Sequence, residues 1–190
     1  MSTARRDESP GFHHVWCRGN NKRAIVTDDR DRRDLLTRIA DVAGENGWQV
    51  YAYCLMDNHY HLVIEVGIAG MSGGLYKLHT GYATSFNTRH ARVNHLFGKR
   101  YGNKMLEDEA SLLWASRYVV LNPVRAGIVS TPEAYRWSSY RATVGQAFSD
   151  VPLARDRLLG SFHAAPDRAE ELFSEFVGAG HPRRMAARPT

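Results

Sequence analysis

Two strand-like runs, Trp48 to Leu55 and His59 to Val66, are separated only by Met56-Asp57-Asn58. A connection that short makes antiparallel pairing the simplest arrangement, and Asp and Asn close turns through their own side chains. The chain is thereby committed to a β-hairpin and to a sheet that contains it. The second arm opens His59-Tyr60-His61. Residues i and i+2 of a strand point to one face, so two imidazoles stand side by side. Neutral imidazole is a common metal ligand and is available near neutral pH. Taken alone, the pair fits several metals and many chemistries, and equally a polar strand face that hydrogen-bonds to loops.

The flanking sequence supplies the rest of an α+β arrangement. Phe12 to Arg18 alternates as a first strand, and Gly19-Asn20-Asn21 breaks it. Thr27-Asp28-Asp29 starts a helix with acidic groups near its positive end. Leu35, Leu36, Ile39, Val42 and Ala43 form its apolar stripe, and the Gly44 to Gly47 stretch stops it. A glycine-rich connection, Gly67 to Gly74, leads to a helix from about Leu75 to about Arg89. Glu107 to Asn122 reads as another helix, ended by Pro123, and Thr131-Pro132-Glu133 opens a short helical piece. Strand, helix, hairpin, helix implies a mainly antiparallel sheet with helices packed on it. Past Gly145 the texture changes, which divides the chain into a main domain, 1–145, and a helical extension, 146–190. The extension carries short helical patterns at Leu153 to Leu159 and Asp167 to Val177, then a basic tail from His181 that reads as disordered in isolation.

Composition bounds the class. A chain of 190 residues with 43% hydrophobic content fits one domain with appendages, or two small domains at most. No run of eighteen apolar residues is present, which excludes a transmembrane helix. The first residues lack the apolar stretch of a signal peptide, which places the expectation in the cytoplasm, and with a DNA partner at the nucleoid. Cys17 and Cys54 lie inside strand-like segments without CxxC spacing and read as buried free thiols.

A net charge of +5, with arginine predominating over lysine, suggests a phosphate-rich partner. Arg18, Arg89, Arg92, Lys99, Arg100, Arg117 and Arg125 are the candidate phosphate contacts. From Arg89 to Tyr101 cations alternate with aromatics, which suits single strands whose bases stack while their phosphates pair. Neutralising about six phosphates makes affinity fall steeply with salt.

A second element is Arg117-Tyr118-Val119-Val120-Leu121-Asn122-Pro123-Val124-Arg125-Ala126-Gly127. On a helix, Tyr118 and Asn122 are i and i+4 and share a face. A tyrosine and an amide one turn apart can meet the histidine pair across a helix–sheet interface. Two imidazoles and an amide oxygen make a mixed N/O site for a divalent cation, which polarises a phosphodiester. A tyrosine oxygen can then attack the phosphorus. Phenol ionises near pH 10, so metal activation or phosphate positioning must offset its weak nucleophilicity. Tyr135 and Tyr140 are rival nucleophiles. His13 and His14 face opposite sides of their strand, so only one can reach such a site; a support or DNA-contact role is the alternative there to the expected packed or solvated one. Glu65 shares the histidine face, and Asp57 and Asn58 read as turn residues.

Four stretches now stand in one order: Phe12-His13-His14-Val15-Trp16-Cys17-Arg18-Gly19-Asn20, Tyr53 to Leu62, Leu96-Phe97-Gly98-Lys99-Arg100-Tyr101, and Tyr118 to Gly127. Through them the chain, from about Phe12 to Tyr140, resembles the single-tyrosine HUH transposases, most of all the REP-associated tyrosine transposases. The resemblance implies a ferredoxin-like or RRM-like antiparallel sheet flanked by helices, with the two histidines on a central strand. It implies Mg²⁺ or Mn²⁺ as cofactor, and cleavage of single-stranded or hairpin DNA that leaves a 5′-phosphotyrosine and a free 3′-hydroxyl. Carried onto this chain, His59 and His61 are metal ligands, Tyr118 is the nucleophile, and Asn122 is the third ligand, where relatives often carry Gln. Phe97-Gly98-Lys99-Arg100 stands where a Gln-Gly-Arg-like run is expected. A monomer or a homodimer fits, with the tyrosine serving its own subunit or its partner's. The alternative is a protein on the same fold that binds structured DNA or RNA without cutting it.

Overall fold

The computed structural model describes residues 9–98 and 100–180. The tail expected from His181 lies outside them. Four strands, β1 (Gly11–Arg18), β2 (Gln49–Leu55), β3 (His59–Val66) and β4 (Gly102–Leu106), form one sheet in the order β2-β3-β1-β4. Every neighbouring pair is antiparallel. With α1 (Asp29–Asn46) after β1 and α2 (Ser72–Arg89) after β3, the order is that of the ferredoxin-like fold. The expected fold class is observed, with the histidine strand β3 at the centre of the sheet.

The hairpin turn is fastened from outside as well as from within. Met56 N–H bonds the His59 carbonyl at 2.8 Å, which closes the turn. Gly19 N–H bonds the Asn58 carbonyl at 2.8 Å, and Ile25 N–H bonds that of Asp57 at 2.7 Å. The chain leaving β1 therefore holds the tip in place. Gly19 is glycine because of close approach, since a Cβ there collides with the Arg23 carbonyl oxygen.

α1 and α2 cover one face of the sheet. Asp28 caps α1 by accepting from Asp31 N–H at 3.0 Å, and Gly47, at φ +65°, ends it in the left-handed conformation. Leu35, Leu36, Ile39 and Val42 of α1 join Leu75, Leu78, Tyr82 and Phe86 of α2 over Val15, Leu62 and Ile64. The Tyr82 hydroxyl donates to the Ile25 carbonyl at 2.6 Å, so its buried oxygen is satisfied. Asp31, only 3% exposed, accepts from Thr27 and from Arg89 at the far end of α2, which clamps the two helices together.

The opposite face is crossed by α3 (Glu109–Val120), capped by Asp108. Pro123 does not end the helical region. The chain kinks at Leu121 and resumes as α4 (Asn122–Arg125), with Pro123 in its first turn, where a missing N–H costs nothing. β4 is the element that the residue pattern did not announce. Its five residues include a glycine and only two apolar side chains, and it lies at the sheet edge.

α5 (Tyr140–Thr143), α6 (Arg155–Gly160) and α7 (Pro166–Ala179) complete the chain. Leu55 N–H bonds the Trp137 carbonyl, Ser139 N–H bonds that of Tyr53, and Ala154 N–H bonds that of Val50. The outer edge of β2 is thus covered by later chain, which protects it from pairing with other molecules. Cys17 and Cys54 are both buried.

A Gly19→Ala substitution forces backbone to move at the hairpin tip. It should destabilise the protein by about 1–3 kcal/mol, read as a lower urea midpoint with an unchanged slope.

Candidate active site

β1 and β3 pair so that Arg18 faces His59, Trp16 faces His61, and His14 faces Val63. Strand alternation then puts His14, Trp16, Arg18, His59 and His61 on the face that α3 crosses, while His13, Cys17 and Tyr60 turn toward α1 and α2. The His59 and His61 rings lie 5.0 Å apart, nearly perpendicular. His61 Nδ1 is 2.9 Å from His14 Nε2, and those rings stack at 5.1 Å. His13, the neighbour on the other face, is fully buried with its Nε2 on the Ser9 carbonyl.

α3 brings Tyr118 onto this cluster. Its ring is 5.8 Å from that of His61 and 5.7 Å from that of His14, edge-on to both, and the side chain is 38% exposed. The Arg125 guanidinium from α4 lies 5.0 Å over the Tyr118 ring. Buried Leu112, Ala115, Val119 and Val120 hold α3 to the sheet, which leaves Tyr118 on its half-open side. The rival tyrosines are spoken for. Tyr135 is buried with its hydroxyl donating to the Leu55 carbonyl, and Tyr140 is buried and donates to Glu133.

Burial keeps the cluster neutral. His61 is pushed down from 6.5 to about 3, first by burial and then by the adjacent His14, His59 and Arg18. His59 falls to about 4 through burial and Arg18, and His14 to about 4 through burial and Lys104. At neutral pH all three rings therefore keep a lone pair. The Asn58 amide donates to the Lys22 carbonyl at 3.1 Å, which turns its oxygen to His59 Nδ1 at 2.6 Å. An amide oxygen only accepts, so His59 carries its proton on Nδ1 and keeps the Nε2 lone pair.

This donor chemistry fits a divalent cation. Among the described residues no group of three or more His, Cys, Asp or Glu is arranged to hold a metal. His59 and His61 would therefore complete a coordination shell with amide, phosphate or water oxygen. Asn122 sits at the start of α4 with its amide turned back on the helix, Nδ2 donating to the Tyr118 carbonyl at 3.1 Å.

The candidate cations separate. Arg18, Arg100 and Arg125 are exposed, and Arg92 is half-buried over the Phe86 ring. Arg89 is engaged by Asp28 and Asp31. Arg117 is 8% exposed, held between the rings of Trp114 and Phe176 at 4.9 and 4.8 Å. It ties α7 to the helix that carries Tyr118. Lys99 lies outside the described residues. Glu65 serves Tyr51 and Arg157 rather than the histidines. The structure adds His14, Asn58, Trp16 and Lys104 to the surroundings of the histidine pair. The available signal was the alternation His14-Trp16-Arg18, which puts all three on one face.

The sequence profile of the family described as "Transposase IS200 like" matches residues 9–122, more than half of the chain. The chain belongs to the IS200-like transposase family. Its fold is similar to that of the REP-associated tyrosine transposase bound to a REP hairpin, with a TM-score of 0.65 and 16% identity over 82% of this chain and 96% of that one. A looser match, with a TM-score of 0.42 and 18% identity over 58% of this chain and 89% of the other, is to a Deinococcus radiodurans R1 protein described as a transposase. No curated protein sequence matches this IS200-like transposase significantly. Among its described residues no helix is long and apolar enough to cross a membrane.

The neutral histidines make the transposase acid-sensitive. An imidazole whose folded pKa is depressed binds its proton more readily unfolded, so its share of stability is full above about 6.5. That share is lost as pH falls from there through about 4 for His14 and His59. The urea midpoint should be level between pH 8 and 7 and drop steadily below 6.5. A midpoint unchanged down to pH 4.5 contradicts this account.

Proposed function

We propose that this transposase is a metal-dependent single-stranded DNA endonuclease and strand-transferase that works through Tyr118 on hairpin DNA. The observation that carries the proposal is the half-open Tyr118 ring set against His61 and His14, in a chain of the IS200-like transposase family. The REP hairpin bound to the REP-associated transposase of like fold supports the choice of substrate.

In this reading the Tyr118 oxygen attacks the phosphorus, the bond to the 3′ oxygen breaks, and the 5′ phosphate stays on the tyrosine. One proton passes from the phenol, by way of solvent, to the departing 3′ oxygen. His59 and His61, with Asn122, would hold Mg²⁺ or Mn²⁺, whose contribution when bound is to polarise the scissile phosphate and offset charge on its oxygens. Arg125 packs over the Tyr118 ring and brings positive charge to its face. Arg18, Arg92, Arg100 and Arg125 are the proposed phosphate contacts. Residues 1–145 form the catalytic unit, and the later helices brace α3 through Arg117.

The test is incubation of the full chain with a 5′-extended hairpin oligonucleotide and Mn²⁺, followed by a denaturing gel. The wild type should form a covalent adduct that Tyr118→Phe abolishes, and His61→Ala should slow its formation about a hundredfold or more. No adduct with the wild type, or an adduct that survives Tyr118→Phe, sinks the assignment. Hairpin binding indifferent to EDTA, without cleavage under any metal, would instead identify a non-cleaving binder. Charge reversal at Arg18 or Arg125 should weaken hairpin binding and flatten its dependence on salt.

A further inference from the structure

The proposed reaction leaves the role of the His14 ring open, and the hydrogen bond it makes supplies one. His61 Nδ1 and His14 Nε2 are 2.9 Å apart, and one proton lies between them. If His14 donates it, neutral His61 must carry its own proton on Nε2, and no lone pair is left for a cation. If His61 donates it from Nδ1, the Nε2 lone pair is free. We infer that His14 is a positioning residue: its Nε2 accepts the Nδ1 proton of His61 and so holds His61 in the tautomer whose Nε2 can bind a divalent cation. The inference rests on the functional reading above.

The neighbouring ring shows the same logic worked out with a different partner. Asn58, itself oriented by the Lys22 carbonyl, accepts from His59 Nδ1 and leaves His59 Nε2 free. His61 makes its hydrogen bond at the same ring position, Nδ1. Both histidines are therefore held at Nδ1, and both offer Nε2. A metal-binding imidazole normally donates its second N–H to a fixed acceptor, commonly a carboxylate or carbonyl. Here an imidazole takes that place, as a neutral acceptor that adds no negative charge beside a phosphodiester. The sheet builds it in: His14 lies two residues along β1 from Trp16, which pairs with His61, so it is the diagonal neighbour on the same face.

The experiment uses the metal-free full chain labelled with ¹⁵N-histidine, near pH 7.5. Long-range ¹H–¹⁵N NMR distinguishes a protonated ring nitrogen from one with a lone pair, and His14→Gln and His61→Gln variants assign the signals. The wild type should show His61 protonated on Nδ1 and His14 with its lone pair on Nε2. A wild-type His61 protonated on Nε2 overturns the inference without recourse to any variant. Mn²⁺ affinity, measured by electron paramagnetic resonance, gives the second readout. His14→Leu, with its fold checked by circular dichroism, should lose about ten- to a hundredfold. His14→Gln, which keeps an acceptor near the same point, should hold close to wild type. Unchanged affinity in folded His14→Leu, or an equal loss in both variants, overturns the inference. A wild type that forms no covalent DNA adduct overturns the functional reading while leaving the tautomer result standing. Adduct formation by a wild type with Nε2-protonated His61 overturns this inference alone.

Discussion

Everything at the candidate site depends on the antiparallel pairing of β1 with β3. The register that sets Arg18 against His59 and Trp16 against His61 puts the imidazoles of two strands on one face. A slip of one residue would turn His14 and Arg18 into the apolar layer under α1 and α2 and bring Cys17 and His13 out in their place. The register is held by that layer, since Val15, Leu62 and Ile64 are fully buried between the sheet and its helices. It is also held at the end nearest the site, where Gly19 meets the Asn58 carbonyl. Core packing and site geometry are thus one constraint expressed on two faces of the same strands.

The second requirement is a tyrosine brought to the histidines without being buried by them. α3 packs on the sheet through Leu112, Val119 and Val120 and leaves Tyr118 half-open beside His61. Arg117 points the other way, between Trp114 and Phe176, so consecutive residues of one helix divide the work. One anchors the C-terminal helices and the other faces the site. Burial that lowers the histidine pKa values also keeps the rings uncharged, so the positive charge nearby comes from Arg18, Lys104 and Arg125. The proposed metal ligands and the proposed phosphate contacts are therefore different residues.

Much of this was legible in the residues. The short turn between two alternating runs gave the hairpin and, from His59-Tyr60-His61, the shared face. The Thr27-Asp28-Asp29 start and the glycines after Ala43 bounded α1 within a residue or two. β4 was not legible, because a five-residue edge strand containing glycine has almost no pattern of its own and exists through its pairing with β1. The basic segment from Arg89 likewise mixed two kinds of cation. Arg89 is bound by Asp28 and Asp31, more than fifty residues earlier, and nothing in its local sequence distinguishes it from exposed Arg100.

By itself the sequence determined the kinds of chemistry available: paired imidazoles on a strand, a tyrosine and an amide one helical turn apart, and a cationic surface. Periodicity and turn chemistry are local, so they can be read without the fold. The tertiary structure alone decided which groups meet. It chose His14 over His13, gave Asn58 to His59, set Tyr118 rather than Tyr135 or Tyr140 against the cluster, and took Arg117 away from the surface. Apart from the adjacent pair Asn58 and His59, whose contact is oriented by the distant Lys22 carbonyl, these choices depend on residues far apart in the chain coming within a few ångströms, and only packing of the complete sheet and its helices brings that about.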